Sequence, residues 1–135
     1  MSRRVRTQPC EACPYRCDVP SGVWATEEYD KLRAYDLPTG EQPVATFQCH
    51  ATPDFYCHGW AVVHSNRGRA FELLALRFAL LNGPVGMVPP IVPLFASGNE
   101  AADHGQRDIA KPKPRARKTM KKLVQRYPRL RGEEP

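Results

Sequence analysis

Two groups of cysteines constrain this chain more than any other feature. Cys10-x2-Cys13 is followed closely by Cys17, and three dozen residues later come Cys49 and Cys57 with seven residues between them, each with a histidine after it, His50 and His58. A chain of 135 residues has the size of one domain. Its apolar sequence is concentrated between about residues 24 and 96, and 14 prolines and 9 glycines interrupt regular structure. The core is therefore small, and such a domain profits from a staple.

Five cysteines are an odd number, and the basic opening Met1-Ser2-Arg3-Arg4 leads into no apolar leader. Both features point to a cytoplasmic, reducing setting and away from a disulfide framework. Metal or redox chemistry remains. Cys13-Pro14-Tyr15-Arg16-Cys17 is similar to the Cys-Pro-Tyr-Cys loop of glutaredoxins, but three residues separate its thiols, and no strand before it or long helix after it is predicted. Cys-x2-Cys is the usual knuckle that puts two thiolates on one ion, and Cys49 with Cys57 supplies a second pair. Cys10, Cys13, Cys49 and Cys57 are thus the expected ligands, with His50, His58, His64 and Cys17 as alternative ones. Zn2+ is the expected metal. The Cys13-Pro14 pairing and the long second spacing keep a [4Fe-4S] cluster as the alternative. Cys17 reads first as a small half-buried residue beside the site.

Charge divides the chain. Residues 111–131 hold ten of the 20 Lys and Arg and no acidic residue, whereas residues 1–110 hold ten basic against twelve acidic residues. The cationic set is Lys111, Lys113, Arg115, Arg117, Lys118, Lys121, Lys122, Arg126, Arg129 and Arg131. Such density attracts phosphate polyanions through counterion release, or an acidic protein surface, and it also suits a merely solvated tail.

Local patterns predict a disordered basic arm over 1–9, a globular domain over 10–110 and a basic tail over 111–135. Thr26 is placed to cap a helix over 27–35 with Tyr29, Leu32 and Tyr35 inward. Val44–Phe47 reads as a strand delivering Cys49, while Trp60–Val63 fits either a strand or the start of a helix. Ala70–Leu81 has helical spacing and is apolar nearly all round, which suits a core helix or a homodimer contact, with Asn82-Gly83 and Pro84 ending it. Residues 84–96 read as an extended, proline-stiffened cover. Ser97 and Glu100 form a capping box for a short helix ending near Gly105. Ala116, Met120, Leu123, Val124 and Tyr127 predict an amphipathic helix over 115–127, ended by Pro128. The expected fold is a small α+β domain, mostly irregular and helical, stapled by a metal site and followed by a basic C-terminal helix. Residues 70–96 are too broken by Glu72, Arg77, Asn82 and prolines to cross a membrane.

The run Pro9-Cys10-x2-Cys13-Pro14-Tyr15-Arg16, then Asp18 to Trp24, Cys49-His50 and Cys57-x-Gly59-Trp60 resembles a family of small uncharacterised proteins from actinobacteria and their phages. The likeness extends through Glu72–Arg77 and Val92–Gly98, hence over most of residues 9–110. It implies that Cys10, Cys13, Cys49 and Cys57 act as one unit. The family pattern carries no cysteine at position 17 and a small residue more often than histidine at 58, while His64 matches a family histidine.

No Ser-His-Asp motif, Gly-rich phosphate loop or His-Glu-x2-His helix occurs, so a hydrolase reading has little support and a non-enzymatic role is favoured. A metal-stapled regulatory or binding protein that meets nucleic acid or a host nucleic-acid machine through its tail is the leading expectation. Tyr15, Trp24, Phe55, Tyr56 and Trp60 near the metal loops serve either as core or as stacking surfaces. An iron–sulfur or thiol redox sensor is the alternative, and a phage or host protein–protein interaction factor is a further one.

Overall fold

The computed structural model describes residues 4–65, 67–79 and 88–127. Among them the order is β1 (Arg4–Val5), α1 (Thr26–Ala34), β2 (Phe55–Tyr56), α2 (His58–Ser65), α3 (Leu74–Ala79), α4 (Gly98–Gln106) and α5 (Pro114–Arg126), with 3-10 turns at Thr39–Glu41 and Arg69–Phe71. This is a small α+β fold. The segment read as an arm supplies β1, which pairs parallel to β2 with Arg4 opposite Phe55 and Val5 opposite Tyr56; Met1 to Arg3 lie outside the described residues.

The helix pair α1 and α4 forms the frame. Glu27 and Glu28 sit in the first turn of α1, where the helix dipole favours negative charge, and Lys31 and Arg33 in its last. Thr26 is the first helical residue and Ala25 the cap position, without a side-chain bond. Tyr29, Leu32 and Tyr35 are buried, and α4 lies against them through Gly98, Ala101, Ala102 and Gly105. That face is made of small residues for a steric reason. A Cβ on Gly98 would stand 2.0 Å from the Leu32 carbonyl oxygen, and one on Gly105 would stand 2.0 Å from the Tyr29 ring. Gly105 therefore does not stop α4 but lets it lie on Tyr29, and the helix runs one residue further than the sequence suggests.

Ser97 caps α4 by accepting from the Glu100 amide at 3.1 Å. The return bond of a capping box is displaced by one residue, because Glu100 accepts from the Ala96 amide at 3.2 Å. The remaining free amides of that helix end find Asp36, whose Oδ1 accepts from Gly98 N at 2.8 Å and Oδ2 from Asn99 N at 2.7 Å.

Other expectations are corrected. Val44–Phe47 is not a strand: Val44 is exposed, and the Ala45 carbonyl is drawn off by the Tyr35 hydroxyl at 2.5 Å. Extended pairing starts at Gln48, which bridges Tyr56. Trp60–Val63 is helical and lies within α2. The helix expected over 70–81 begins later, after the 3-10 turn, because Gln42 caps it by accepting from the Leu74 amide at 3.1 Å. Its end, with Asn82, Gly83 and Pro84, lies outside the described residues. The described part of the proline-stiffened cover is extended: Pro93 and Tyr15 carbonyls accept from the Cys17 and Phe95 amides. Among the described residues no helix is long and apolar enough to cross a membrane.

Gly98→Ala should lower stability by about 1–3 kcal/mol, since overpacking against backbone leaves nothing to rearrange. Gly40→Ala, where a Cβ meets nothing within 4 Å, should shift it by about 0.5 kcal/mol or less. Urea denaturation of both variants checks this.

Candidate metal centre

Cys10, Cys13, Cys49 and Cys57 are all buried in the main core, and all are free thiols. Two local structures deliver them. The loop at Cys10 folds into successive turns, with the Cys13 amide bonded to the Cys10 carbonyl and the Arg16 amide to that of Cys13. Cys49 and Cys57 stand on the two arms of a short hairpin: the Cys49 amide donates to Phe55 O and the Cys57 amide to Phe47 O, each at 2.9 Å. The seven-residue spacing comprises the five loop residues 50–54 and the strand residues Phe55 and Tyr56 that pair back on Cys49 and Gln48.

The two structures meet sulfur to sulfur. Cys13 Sγ lies 3.7 Å from Cys57 Sγ, and the Cys10 thiol is hydrogen-bonded to Cys49. Cys10 also lies within electrostatic reach of Cys13 and Cys57. Among the described residues no three His, Cys, Asp or Glu side chains form a preformed metal cage; the thiols stand as two contacting pairs.

Backbone amides point at these sulfurs. The Thr52 amide donates to Cys49 Sγ at 3.4 Å, and the Trp60 amide to Cys57 Sγ at 3.5 Å. Cys57 precedes α2 and accepts from its first turn, so its sulfur occupies an N-cap position at the positive end of the helix. Gly59 makes this approach feasible, because a Cβ there would stand 3.0 Å from Cys13 Sγ and 2.6 Å from Tyr15 Cβ. Cys49 titrates low, at about 5, chiefly because the Cys10 thiol donates to it and then because of the Thr52 and Ala51 amides. Burial pushes the Cys57 thiol up, and Cys10 is raised by its bond to Cys49 and by burial.

One pair of these sulfurs has the spacing of adjacent ligands on a tetrahedral ion. With Zn–S bonds of about 2.3 Å, adjacent sulfurs in a tetrahedron stand about 3.8 Å apart, which matches the Cys13–Cys57 contact of 3.7 Å. In a [4Fe-4S] cluster each thiolate binds a different iron and the sulfurs are held wider apart.

The histidines are engaged elsewhere. His50 Nε2 meets Glu28 Oε1 at 2.8 Å, and that hydrogen bond is the main reason Glu28 titrates down to about 2. His58 Nε2 donates to Val88 O at 2.7 Å. His104 donates to Val19 O at 2.8 Å. Cys17 is exposed.

Sequence reasoning missed a buried polar chain behind the thiols. The Tyr15 hydroxyl lies 2.8 Å from His64 Nε2. His64 Nδ1 faces Asp36 Oδ1 at 3.5 Å and the Tyr35 carbonyl, and Arg67 pairs with Asp36. Burial lowers His64 to about 4 and raises Tyr15. Both are neutral near pH 7, so Tyr15 donates to Nε2 and the ring proton sits on Nδ1. Only the family histidine at 64 hinted at this; Asp36 carries no sequence signal, since its partners lie up to 63 residues away.

The basic helix is docked. Ala116 and Leu123 bury themselves against Ala12, Val19 and Val23 of the cysteine loop, and Arg126 pairs with Glu11 at 2.8 Å. Arg115, Arg117, Lys118, Lys121, Lys122 and Arg126 are exposed, as are Lys111 and Lys113. Arg129 and Arg131 lie outside the described residues.

Residues 5–126 match the family of unknown function DUF6283. The chain belongs to this family. The match spans the cysteine loop, the hairpin and α5 together. No curated protein and no solved structure matches the chain.

Native His64 takes no proton between about pH 6.5 and 4, whereas the unfolded chain does, so stability should fall as pH drops through that window, by up to about 3 kcal/mol. Below about pH 4 the native ring protonates too and the contribution stops changing. His64→Gln should be less stable at pH 7.5 and should lose less on acidification, as read from urea midpoints across the pH range.

Proposed function

We propose that this DUF6283 protein is a metal-stapled binding protein in which Cys10, Cys13, Cys49 and Cys57 hold one structural Zn2+ and α5 presents a basic face to nucleic acid. The observation that carries the metal reading is the sulfur contact of 3.7 Å between two segments 44 residues apart. Backbone amides aimed at Cys49 and Cys57 support it, since they stabilise thiolates and orient them. Bound there, the ion neutralises thiolates that burial otherwise disfavours. Binding of a structural zinc contributes on the order of 10 kcal/mol, comparable to the whole stability of a domain.

The nucleic-acid reading rests on α5. Its apolar stripe is spent on the cysteine loop, which leaves six cations on a rigid face with no acidic residue in the helix. Rigidity matters because a docked helix presents its charges without an ordering cost on binding. The cysteine loop that carries α5 is also the loop that holds two thiols, so metal binding and the basic face are mechanically linked.

A second reading has its own observation. Two contacting thiol pairs, Cys13 with Cys57 and Cys10 with Cys49, are also the arrangement of a dithiol redox sensor.

Elemental analysis of protein purified without oxygen should find one zinc per chain and no visible absorption. Zinc should be lost in serine variants of the four core cysteines and retained in Cys17→Ser. Iron with sulfide and a brown colour would overturn the zinc assignment, and a metal-free protein that forms two disulfides under mild oxidant would favour the redox reading. Affinity for DNA or RNA should fall steeply with salt, and the combined variant Lys118→Gln, Lys121→Gln, Lys122→Gln should reduce the log–log salt slope by about 2 to 3.

A further inference from the structure

Beside its docked stripe, α5 leaves an open groove between itself and the turn that leads into α1. Val23, Trp24, His50, Met120, Leu123 and Val124 line it, and it measures about 430 Å³, within the usual range of small-ligand sites, roughly 300–1,000 Å³. Its floor is aromatic. The Trp24 and His50 rings lie 4.4 Å apart with their planes tilted by 40°. Both rings are fixed in advance: Trp24 Nε1 donates to Ala12 O at 2.8 Å, and His50 is held by Glu28.

The lip of this groove is cationic. Arg117 stands three residues before Met120, and Lys121 three before Val124, so helical spacing sets both exposed cations beside the two lip residues. Glu28 is the one acidic side chain lining the groove, and Lys31 at 2.7 Å and His50 at 2.8 Å already engage it. An aromatic platform with apolar walls and flanking cations has the chemistry of a stacked base between two phosphates.

We propose that this groove receives an unpaired base of a single-stranded nucleic acid, stacked on Trp24, whose ring His50 backs, with Arg117 and Lys121 on the flanking phosphates. The proposal rests on the reading of α5 as a nucleic-acid surface and adds selectivity to it. A duplex keeps its bases stacked on one another and can use only the cations, so the groove makes the protein prefer single strands.

The test uses the full zinc-loaded chain, labelled oligothymidylate and oligouridylate on the order of 12 nucleotides long, a duplex of equal length, and polyglutamate as an acidic-peptide probe. Single strands should bind more tightly than duplex and should quench the emission of Trp24, while the fully buried Trp60 serves as internal reference. Trp24→Leu should weaken single-strand binding roughly tenfold and leave duplex binding within about twofold; Trp24→Phe should restore most of the loss, because a phenyl ring still stacks. Thermal melting verifies that the variants fold, and quenching of the unaltered chain is independent of them. Equal single-strand affinity of Trp24→Leu, or no quenching, overturns the groove proposal while leaving α5 as a basic face. Binding of neither nucleic acid overturns both readings, and capture of polyglutamate alone makes an acidic protein surface the occupant.

Discussion

The contact between Cys13 and Cys57 is the junction on which the rest of the molecule depends. It joins a turn-rich loop near the start of the chain to a hairpin and the first turn of α2, and among the described residues regular structure is otherwise short: two-residue strands and helices of six to thirteen residues. Helices of this length are marginal alone and owe their stability to packing. The thiols sit where that packing converges, with Tyr15, Phe47, Trp60 and the α1–α4 pair in the same core.

A buried sulfur cluster has an electrostatic consequence that shapes its surroundings. Thiolates in a low-dielectric core are costly unless amides, a helix end or a cation offset them. The chain supplies amides from Ala51, Thr52 and Trp60 and the end of α2. The same logic explains the second buried polar group. Asp36 keeps its carboxylate in the interior because Gly98 and Asn99 amides, Arg67 and His64 surround it, and that ties α4 to α1 and, through His64 and Tyr15, to the thiols.

The outer side of the cysteine loop carries a second set of contacts. Ala12 lies between the two sulfur-bearing residues Cys10 and Cys13, yet it faces Val23, Ala116 and Leu123, and its carbonyl fixes the Trp24 indole. One loop thus faces the thiols on one side and the basic helix with its aromatic groove on the other. Loss of order in the loop would be felt at both.

Much of this was legible from local pattern. The Cys-x2-Cys spacing, the Ser97 cap, the apolar stripe of α5 and the inward set Tyr29, Leu32 and Tyr35 are properties of short segments, and local chemistry decides them. The hairpin at Cys49, the start of α3 and the role of Gly105 were misjudged or missed, because Tyr35, Gln42 and Tyr29, residues 10 to 76 positions away, decide them. By itself the sequence determined that the chain holds two spaced groups of thiols and a run of cations, since composition and spacing are written in the chain. Only the tertiary structure decided that the thiols meet as two pairs, that Asp36 and His64 are buried behind them, and that α5 docks beside Trp24, because each depends on contacts between segments that no local periodicity records.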